Sequence, residues 1–85
     1  MEIKSSKDSL ADQMLALNEV LLRERIKGLQ DANPRQRRKA ARGLSGLGKV
    51  AERAIPLLEA LLVDPDHRVR EAAAQTLAML WANGG

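Results

Sequence analysis

Residues 64–77 read DPDHRVREAAAQTL, and residues 31–44 read DANPRQRRKAARGL. The two stretches align without a gap at an offset of 33 residues, and the alignment extends to either side, with Leu22 opposite Ile55 and Leu47 opposite Leu80. A constant offset of this length is typical of a chain built from copies of one supersecondary unit. The sequence therefore predicts a protein made of two repeats.

Each repeat is predicted to consist of two antiparallel helices joined by a tight turn. In the second repeat, apolar residues recur at helical spacing over 50–63 and again over 67–82. Asp66 and its counterpart Asn33 precede the second helix of each repeat, where their side-chain oxygens can accept the free N–H groups of the first turn. Pro34 follows Asn33 at a position where a missing N–H costs nothing.

Three local signals refine these helices. Gln36 stands at the spacing from which a side chain bonds back to the capping residue of the first repeat. Gly46 and Gly48 are expected to end that helix and to let the chain reverse. Pro56 lacks an N–H and clashes with a preceding helical turn, so its helix is expected to begin near Arg53 or to bend.

The chain is predicted to be a single all-α domain of about four antiparallel helices with an N-terminal helical extension. Ser9 and Asp12 indicate the start of that extension. We expect it to act as a cap, covering apolar surface that the end of a stacked helical array would otherwise expose. The predicted domain 1–85 divides into the extension 9–16, the first repeat 17–48 and the second repeat 49–82.

Composition excludes several classes of protein. The 85 residues include no cysteine, which excludes disulfides, thiolate metal sites and cysteine nucleophiles. No apolar run approaches the roughly 20 residues that span a bilayer. Residues 1–6 lack the apolar region of a signal peptide. The sequence therefore predicts a cytoplasmic protein without a membrane partner.

Positive charge is concentrated in the middle of the chain. Residues 33–53 carry a net charge of +6, whereas the segments before and after carry −1 and −2. Arg35, Arg38 and Arg42 share one helix face at i, i+3, i+7 spacing, and Lys39 is adjacent. If the second helices of the two repeats are neighbours, the matching face of the second repeat completes this patch. The predicted partner-binding residues are Arg35, Arg38, Lys39, Arg42, Arg68 and Gln75.

Four interpretations of this basic face remain open on the sequence alone. It is a solvated surface, it binds an acidic protein partner, it binds the backbone of a nucleic acid, or it meets an anionic membrane. Ala40 and Ala41 are too small to anchor a membrane-bound helix, and the absence of Phe and Tyr leaves little for nucleic-acid bases to stack on. Because the N-terminal end of a helix is itself positive, arginines there favour an anionic partner.

The sequence does not indicate an enzyme. His67 is the only histidine, and it lies at a helix start where the first repeat has Pro34. There is no Gly-rich phosphate loop, no paired-histidine metal motif and no Ser-His-Asp set. We therefore predict no catalytic residue, no metal and no cofactor.

The end of the last helix is a second candidate interface. Two repeats are fewer than the roughly three that a stacked array needs to be stable by itself. Self-association through the open end would relieve this shortage, and Trp81 either covers the core or anchors such a contact. The residues predicted for this contact are Met79, Leu80 and Trp81.

The sequence from Asp64 to Leu77 resembles a HEAT repeat. Its pattern is similar to the D-P-D-P-x-V-R-x-x-A-A-x-x-L of the short bacterial repeats of the phycobiliprotein-lyase group, and residues 54–58, AIPLL, resemble the opening of that family's first helix. His67 departs from the usual proline and Gln36 from the usual valine. The resemblance covers roughly residues 17–81.

The resemblance implies a fragment of an α-solenoid whose second helices line a concave face. It implies an adaptor that binds proteins, since HEAT repeats are mostly scaffolds, and by family analogy alone an accessory or chaperone-like role on bilin proteins. It also implies hydrogen-bonded ladders between successive turns. The residues at the ladder positions are Asp31, Arg37, Asp64 and Arg70.

Overall fold

A computed structural model of the chain describes residues 9–84, and every regular element in that range is helical. The all-α class with its repeated helical hairpins is confirmed. Residues 1–6, in which no signal peptide is expected, lie outside the described range. The elements are α1 (Leu10–Leu29), α2 (Pro34–Gly43), a 3-10 segment (Leu44–Ala54), α3 (Ile55–Ala60), a 3-10 turn (Leu61–Val63) and α4 (His67–Gly84).

The chain reverses at Gly48, between the two hairpins. Gly48 has φ 64° and ψ −143°, a conformation that side-chain-bearing residues rarely adopt, and it interrupts the 3-10 segment. Residues 44–47 thus continue α2, whereas 49–54 lead into α3. Gly46 has no positive φ, so the reversal depends on Gly48 alone. The division into 9–16, 17–48 and 49–82 stays a prediction.

The predicted helix starts are confirmed by their caps. Ser9 Oγ accepts the N–H three residues ahead at 3.1 Å, at the start of α1. Asn33 Oδ1 and Asp66 Oδ1 accept the N–H two residues ahead at 2.9 and 2.8 Å, at the starts of α2 and α4. The equivalent geometry of Asn33 and Asp66 shows that the turn is repeated with the sequence.

The role expected of Gln36 is wrong. The Asn33 N–H donates instead to Asp31 Oδ1 at 2.8 Å. A carboxylate two residues upstream reaches this donor without crossing the first turn, and it is the stronger acceptor. The exposed side chain of Gln36 is therefore not needed for capping.

Pro56 lies at the second position of α3, where its missing N–H costs no hydrogen bond. The predicted helix over 50–63 is accordingly uneven, with 3-10 geometry up to Ala54, α geometry from Ile55 to Ala60 and a final 3-10 turn. Of the two alternatives expected at this proline, a start near Arg53 or a bend, the structure shows a start, since α3 begins at Ile55.

Leucine and alanine build one continuous core across both hairpins. Small residues bring the helices close together: a Cβ on Gly28 of α1 would lie 2.7 Å from the Cβ of Ala40 on α2, so glycine is required at this crossing. Thr76 of α4 donates its hydroxyl to the carbonyl of Ala41 at 2.9 Å in a buried position. The core comprises Leu22, Leu29, Ala40, Ala41, Leu44, Leu47, Ala51, Ala54, Leu58, Ala72, Ala73, Leu77 and Leu80.

The N-terminal extension is helical, and most of its side chains are exposed. Residues 10–16 form the first turns of α1, and Leu10 and Met14 are 71% and 57% exposed. Leu15 and Leu17 are also more than half exposed, whereas Leu22 on the same helix is buried. The first turns of the continuous helix α1 thus leave these apolar side chains exposed, and the covering role stays a prediction.

Candidate functional site

An open groove of about 580 Å³ lies between the starts of α2 and α4. The first repeat contributes most of its wall, and the second contributes Asp66 and Arg68. It gathers five of the six residues predicted to bind a partner, and we call it the basic groove. Its cations are Arg35, Arg38, Lys39, Arg42 and Arg68.

The buried side of α2 turns these cations outward. Ala40 and Ala41 are buried against the neighbouring helices, and the Asn33 cap fixes the first turn. With that face buried, Arg35, Arg38 and Arg42 are all exposed on the opposite side. A helix rises about 1.5 Å per residue, so these three arginines span about 10 Å along α2.

The groove is strongly positive. Arg68 Nε lies 3.9 Å from Asp66 Oδ1, and within residues 9–84 none of the four cations from α2 forms an ion pair. The backbone hydrogen bond from Arg68, outweighing the effect of burial, lowers the pKa of Asp66, and the nearby charge of Arg68 acts in the same direction. Asp66 therefore remains ionised at neutral pH and offsets one of the five positive charges.

The backbone donors at the start of α2 are already used. Pro34 has no N–H, and the Arg35 N–H is bound to the Asn33 side chain. The next two N–H groups donate to the Asn33 carbonyl at 3.0 and 3.1 Å. An anion in the groove would therefore be bound by side chains, unlike the anions that helix N-termini bind through free N–H groups.

Arg37 lies on the other side of α2 and joins the two repeats. Its Nε and Nη2 donate to Asp64 Oδ2 and Oδ1 at 2.8 and 3.1 Å, and its Nη1 donates to the carbonyls of Asp31 and Ala32 at 2.8 and 3.0 Å. Arg70 donates to the carbonyl of Asp64. The four residues at the ladder positions thus bind one another or the turns between helices and lie apart from the basic groove.

Asp64 is buried, and burial alone would raise its pKa. The hydrogen bonds from Arg37 and from the Asp66 N–H, together with the charges of Arg37 and Arg70, outweigh that effect and lower the pKa of Asp64 below its usual value. The same bond to Asp64 raises the pKa of Arg37. This ion pair is therefore charged at neutral pH and connects the two hairpins.

The remaining predicted residues are not brought to the groove. Gln75 is exposed on α4 but does not line it. Met79 and Trp81 are about half exposed at the far end of α4. The prediction is wrong for Leu80, which is 4% exposed because it lies on the same buried stripe as Leu77.

Two contributions were not foreseen from the sequence. Thr76 bonds α4 to α2, and the only signal for it was its place in an apolar run opposite Gly43 of the first repeat. Asp66 lines the groove in addition to capping α4. Its second role follows from the turn geometry, which places the starts of both second helices side by side.

Among residues 9–84, no set of three His, Asp or Glu side chains converges as metal ligands. None of the helices in that range has both the length and the apolar content to cross a bilayer.

Comparison with known proteins agrees with this architecture. The family model of HEAT repeats matches residues 22–83, which include α2, α3 and nearly all of α4. No curated protein and no solved structure matches the chain significantly. HEAT repeats generally mediate protein–protein interactions and are typically non-catalytic. The match covers more than half of the chain and includes the reversal at Gly48 and the residues at the ladder positions, so the chain belongs to the HEAT-repeat family.

Proposed function

We propose that this chain is a non-catalytic adaptor that binds an acidic protein segment in the basic groove. The observation that supports it is the group of four α2 cations that form no ion pair within residues 9–84 and that share a groove with Arg68. The family supplies the general role, since its repeats mediate contacts between proteins.

Arginine makes carboxylates the preferred ligand. A guanidinium presents a planar fork of donors that matches a carboxylate in a bidentate arrangement, which an ammonium group does not. Three of the four α2 cations are arginines, and they are spread over about 10 Å of helix. About three to four residues of extended chain, or about seven residues of helix, span that length.

One feature of the groove disfavours nucleic acid. Trp81, the only residue among Phe, Tyr and Trp in the chain, lies 13 residues beyond Arg68 on α4, which places it about 20 Å away along the helix. Bases would therefore have no Phe, Tyr or Trp ring to stack on beside the cations. A nucleic acid would be bound through its phosphates alone, with affinity that falls steeply with salt.

The test compares two charge-reversed variants of equal net charge. The first carries Arg35→Glu, Arg38→Glu and Arg42→Glu. The control carries Arg23→Glu, Lys27→Glu and Lys49→Glu, three exposed cations outside the basic groove. Both are titrated, alongside the unmodified protein, with a fluorescein-labelled hexaglutamate peptide, with the same peptide bearing glutamine in place of glutamate, and with a short duplex DNA.

We expect the unmodified protein and the control to bind hexaglutamate, and the groove variant to lose at least about tenfold in affinity. The glutamine peptide should not bind. Equal loss in both variants would assign binding to net charge and contradict the proposal. Tighter binding of DNA than of peptide, lost only in the groove variant, would assign the groove to nucleic acid. A role on bilin proteins stays a prediction from the resemblance.

A further inference from the structure

A second cavity, of about 370 Å³, lies between α1 and α2, and we call it the α1–α2 cavity. Gln36 and Lys39 line both this cavity and the basic groove, so the two adjoin along one side of α2. A helix with its side chains is about 10 Å across, and a bound chain can therefore pass from one to the other over a short distance. The charged residues of the α1–α2 cavity are Glu24, Arg25 and Lys39.

Two residues that line the α1–α2 cavity differ in size from their counterparts in the second repeat, in opposite directions. Leu58 and Thr76 of the second repeat are buried, and 33 residues earlier the chain has Arg25 and Gly43. The Arg25 side chain lies against Gly43, because a Cβ at residue 43 would overlap Arg25 Nε and lie 3.0 Å from its Cδ. The glycine thus leaves the space that the arginine occupies.

The backbone does not require glycine at residue 43. Its φ of −64° and ψ of −24° are helical values that any residue adopts. Glycine is less favourable than alanine in a helix, since it loses more conformational freedom on folding. The close approach of Arg25 is therefore the reason that the structure offers for a glycine at this position.

Arg25 is a partly buried cation without an ion pair. Within residues 9–84 no carboxylate lies within 4 Å of its guanidinium. Glu24 lines the same cavity, but side chains one residue apart on a helix do not face each other. A guanidinium that is already held against Gly43 loses less conformational freedom when it binds a ligand than a freely exposed one does.

The charges of the α1–α2 cavity suit a single carboxylate. Arg25 and Lys39 are positive and Glu24 is negative, which leaves one net positive charge. The planar donors of a guanidinium match one carboxylate in a bidentate arrangement. A second anionic group in the cavity would be repelled by Glu24, whereas the basic groove offers five cations to a run of acidic side chains.

We propose that Arg25, held against Gly43, binds one further carboxylate of the acidic segment that occupies the basic groove. This inference rests on the proposed function, since both surfaces bind the same segment. The segment runs along the arginines of α2 and passes Lys39, which lines both surfaces, to place one acidic side chain in the α1–α2 cavity.

The test measures the affinity of the full chain for the fluorescein-labelled hexaglutamate peptide, whose six residues span about 20 Å when extended and so can contact both surfaces. Arg25→Gln removes the guanidinium. Arg23→Gln removes the same charge from an exposed position of α1 that lines neither surface. We expect Arg25→Gln to weaken binding at least about fivefold and Arg23→Gln to weaken it less than about twofold.

Gly43→Ala tests the same contact without changing any charge. The added methyl group displaces the Arg25 side chain, while the helical backbone accommodates alanine. We expect a chain that is folded by circular dichroism and binds hexaglutamate at least about fivefold more weakly. Gly46→Ala is the matched control, because a Cβ there would have no atom within 4 Å and its φ is not positive, and it should retain the affinity.

Three outcomes would overturn the inference, and they separate it from the proposed function. If the groove variant loses affinity but either Arg25→Gln or Gly43→Ala retains it, the inference fails and the proposed function stands. Equal loss in Arg25→Gln and Arg23→Gln would assign the effect to net charge and would also overturn the inference. If the unmodified protein does not bind hexaglutamate, the proposed function fails, and this inference fails with it.

Discussion

Four positions that are buried in the second repeat are occupied by polar residues or glycine in the first. In the second repeat they hold Leu58, Val69, Ala72 and Thr76, each at most 3% exposed. In the first repeat the equivalent residues are Arg25, Gln36, Lys39 and Gly43. The two copies have the same turns and caps, so this difference arises from their places in the array and not from their local conformation. The positions that a neighbouring repeat covers hold mainly apolar residues. The equivalent positions without such a neighbour tolerate polar residues.

The same division separates the residues that build the core from the residues that we propose bind a partner. The second repeat places α4 against α2 and buries much of the core, whereas α2 of the first repeat is short and carries four unpaired cations of the basic groove within the described residues. Because the cations lie on the face opposite Ala40 and Ala41, their replacement leaves the core unchanged. Substitutions on the two faces of α2 should therefore have effects of different kinds.

The largest effect is expected from exchanging residues between equivalent positions. Val69→Gln puts the residue of the first repeat into a fully buried site of the second, where the amide finds no partner, and should lower the free energy of unfolding by about 3 kcal/mol. The reverse exchange, Gln36→Val, changes an exposed position and should alter it by no more than about 0.5 kcal/mol. Urea denaturation followed by circular dichroism measures both. Similar effects of the two substitutions would show that the repeats are not distinguished by burial.

An intermediate effect is expected at the ion pair between the repeats. Because the pKa of Asp64 is lower in the folded chain than in the unfolded one, its carboxylate contributes stability above the unfolded value of about 4. That contribution is lost as the pH falls through the folded pKa. Asp64→Asn should lower the melting temperature at neutral pH by about 5 °C or more.

The pH dependence of the melting temperature is the more specific test of this ion pair. Below about pH 4 the melting temperature of the unmodified protein should fall toward that of Asp64→Asn, so the two curves converge in acid. Asp31→Asn serves as the control, since Arg37 contacts the backbone carbonyl of Asp31 and not its carboxylate. Parallel curves for the protein and Asp64→Asn would contradict the assigned role.

The smallest effect is expected from the buried hydrogen bond that the Thr76 side chain makes between α4 and α2. Thr76→Val retains the shape of the side chain and removes its hydroxyl, and should lower the free energy of unfolding by about 1 kcal/mol. The substitution of Ser45, whose hydroxyl bonds its own helix at Arg42, to alanine is a suitable comparison. If Thr76→Val lowers the free energy of unfolding no more than Ser45→Ala does, the hydrogen bond between Thr76 and Ala41 contributes no more than a bond within one helix.

Most of the fold was predictable because the 33-residue offset and the caps are local or repeated signals. Asn33 and Asp66 mark helix starts by their chemistry, and the proline at 56 requires that a helix start or bend close to it. The exposure of the N-terminal turns was not predictable, since Leu10 and Leu22 both lie on apolar stripes and only the direction of the helix axis separates them.

The sequence predicted less of the candidate site than of the fold. The arginines of α2 share a face by spacing alone, and the equivalence of the repeats places Arg68 near them. Gln75 satisfies the same spacing but does not line the groove, although its counterpart Arg42 does. Leu80 is apolar and near the end of the last helix, and nothing in its spacing tells an interface residue from a core residue. These distinctions depend on the distances between helices, which periodicity does not contain.

Gly28 bears on how the proposed adaptor could diversify. A side chain there would collide with Ala40 and push α2 away from α1. Because α2 carries most of the basic groove and Arg68 lies on α4, the position of α2 affects the width of the groove. Gly28 influences that position without itself lining the groove. A substitution at Gly28 could therefore change which partner fits the groove without changing any arginine. In related sequences that lack this glycine, we expect compensating changes at residue 40 before any change at the cations.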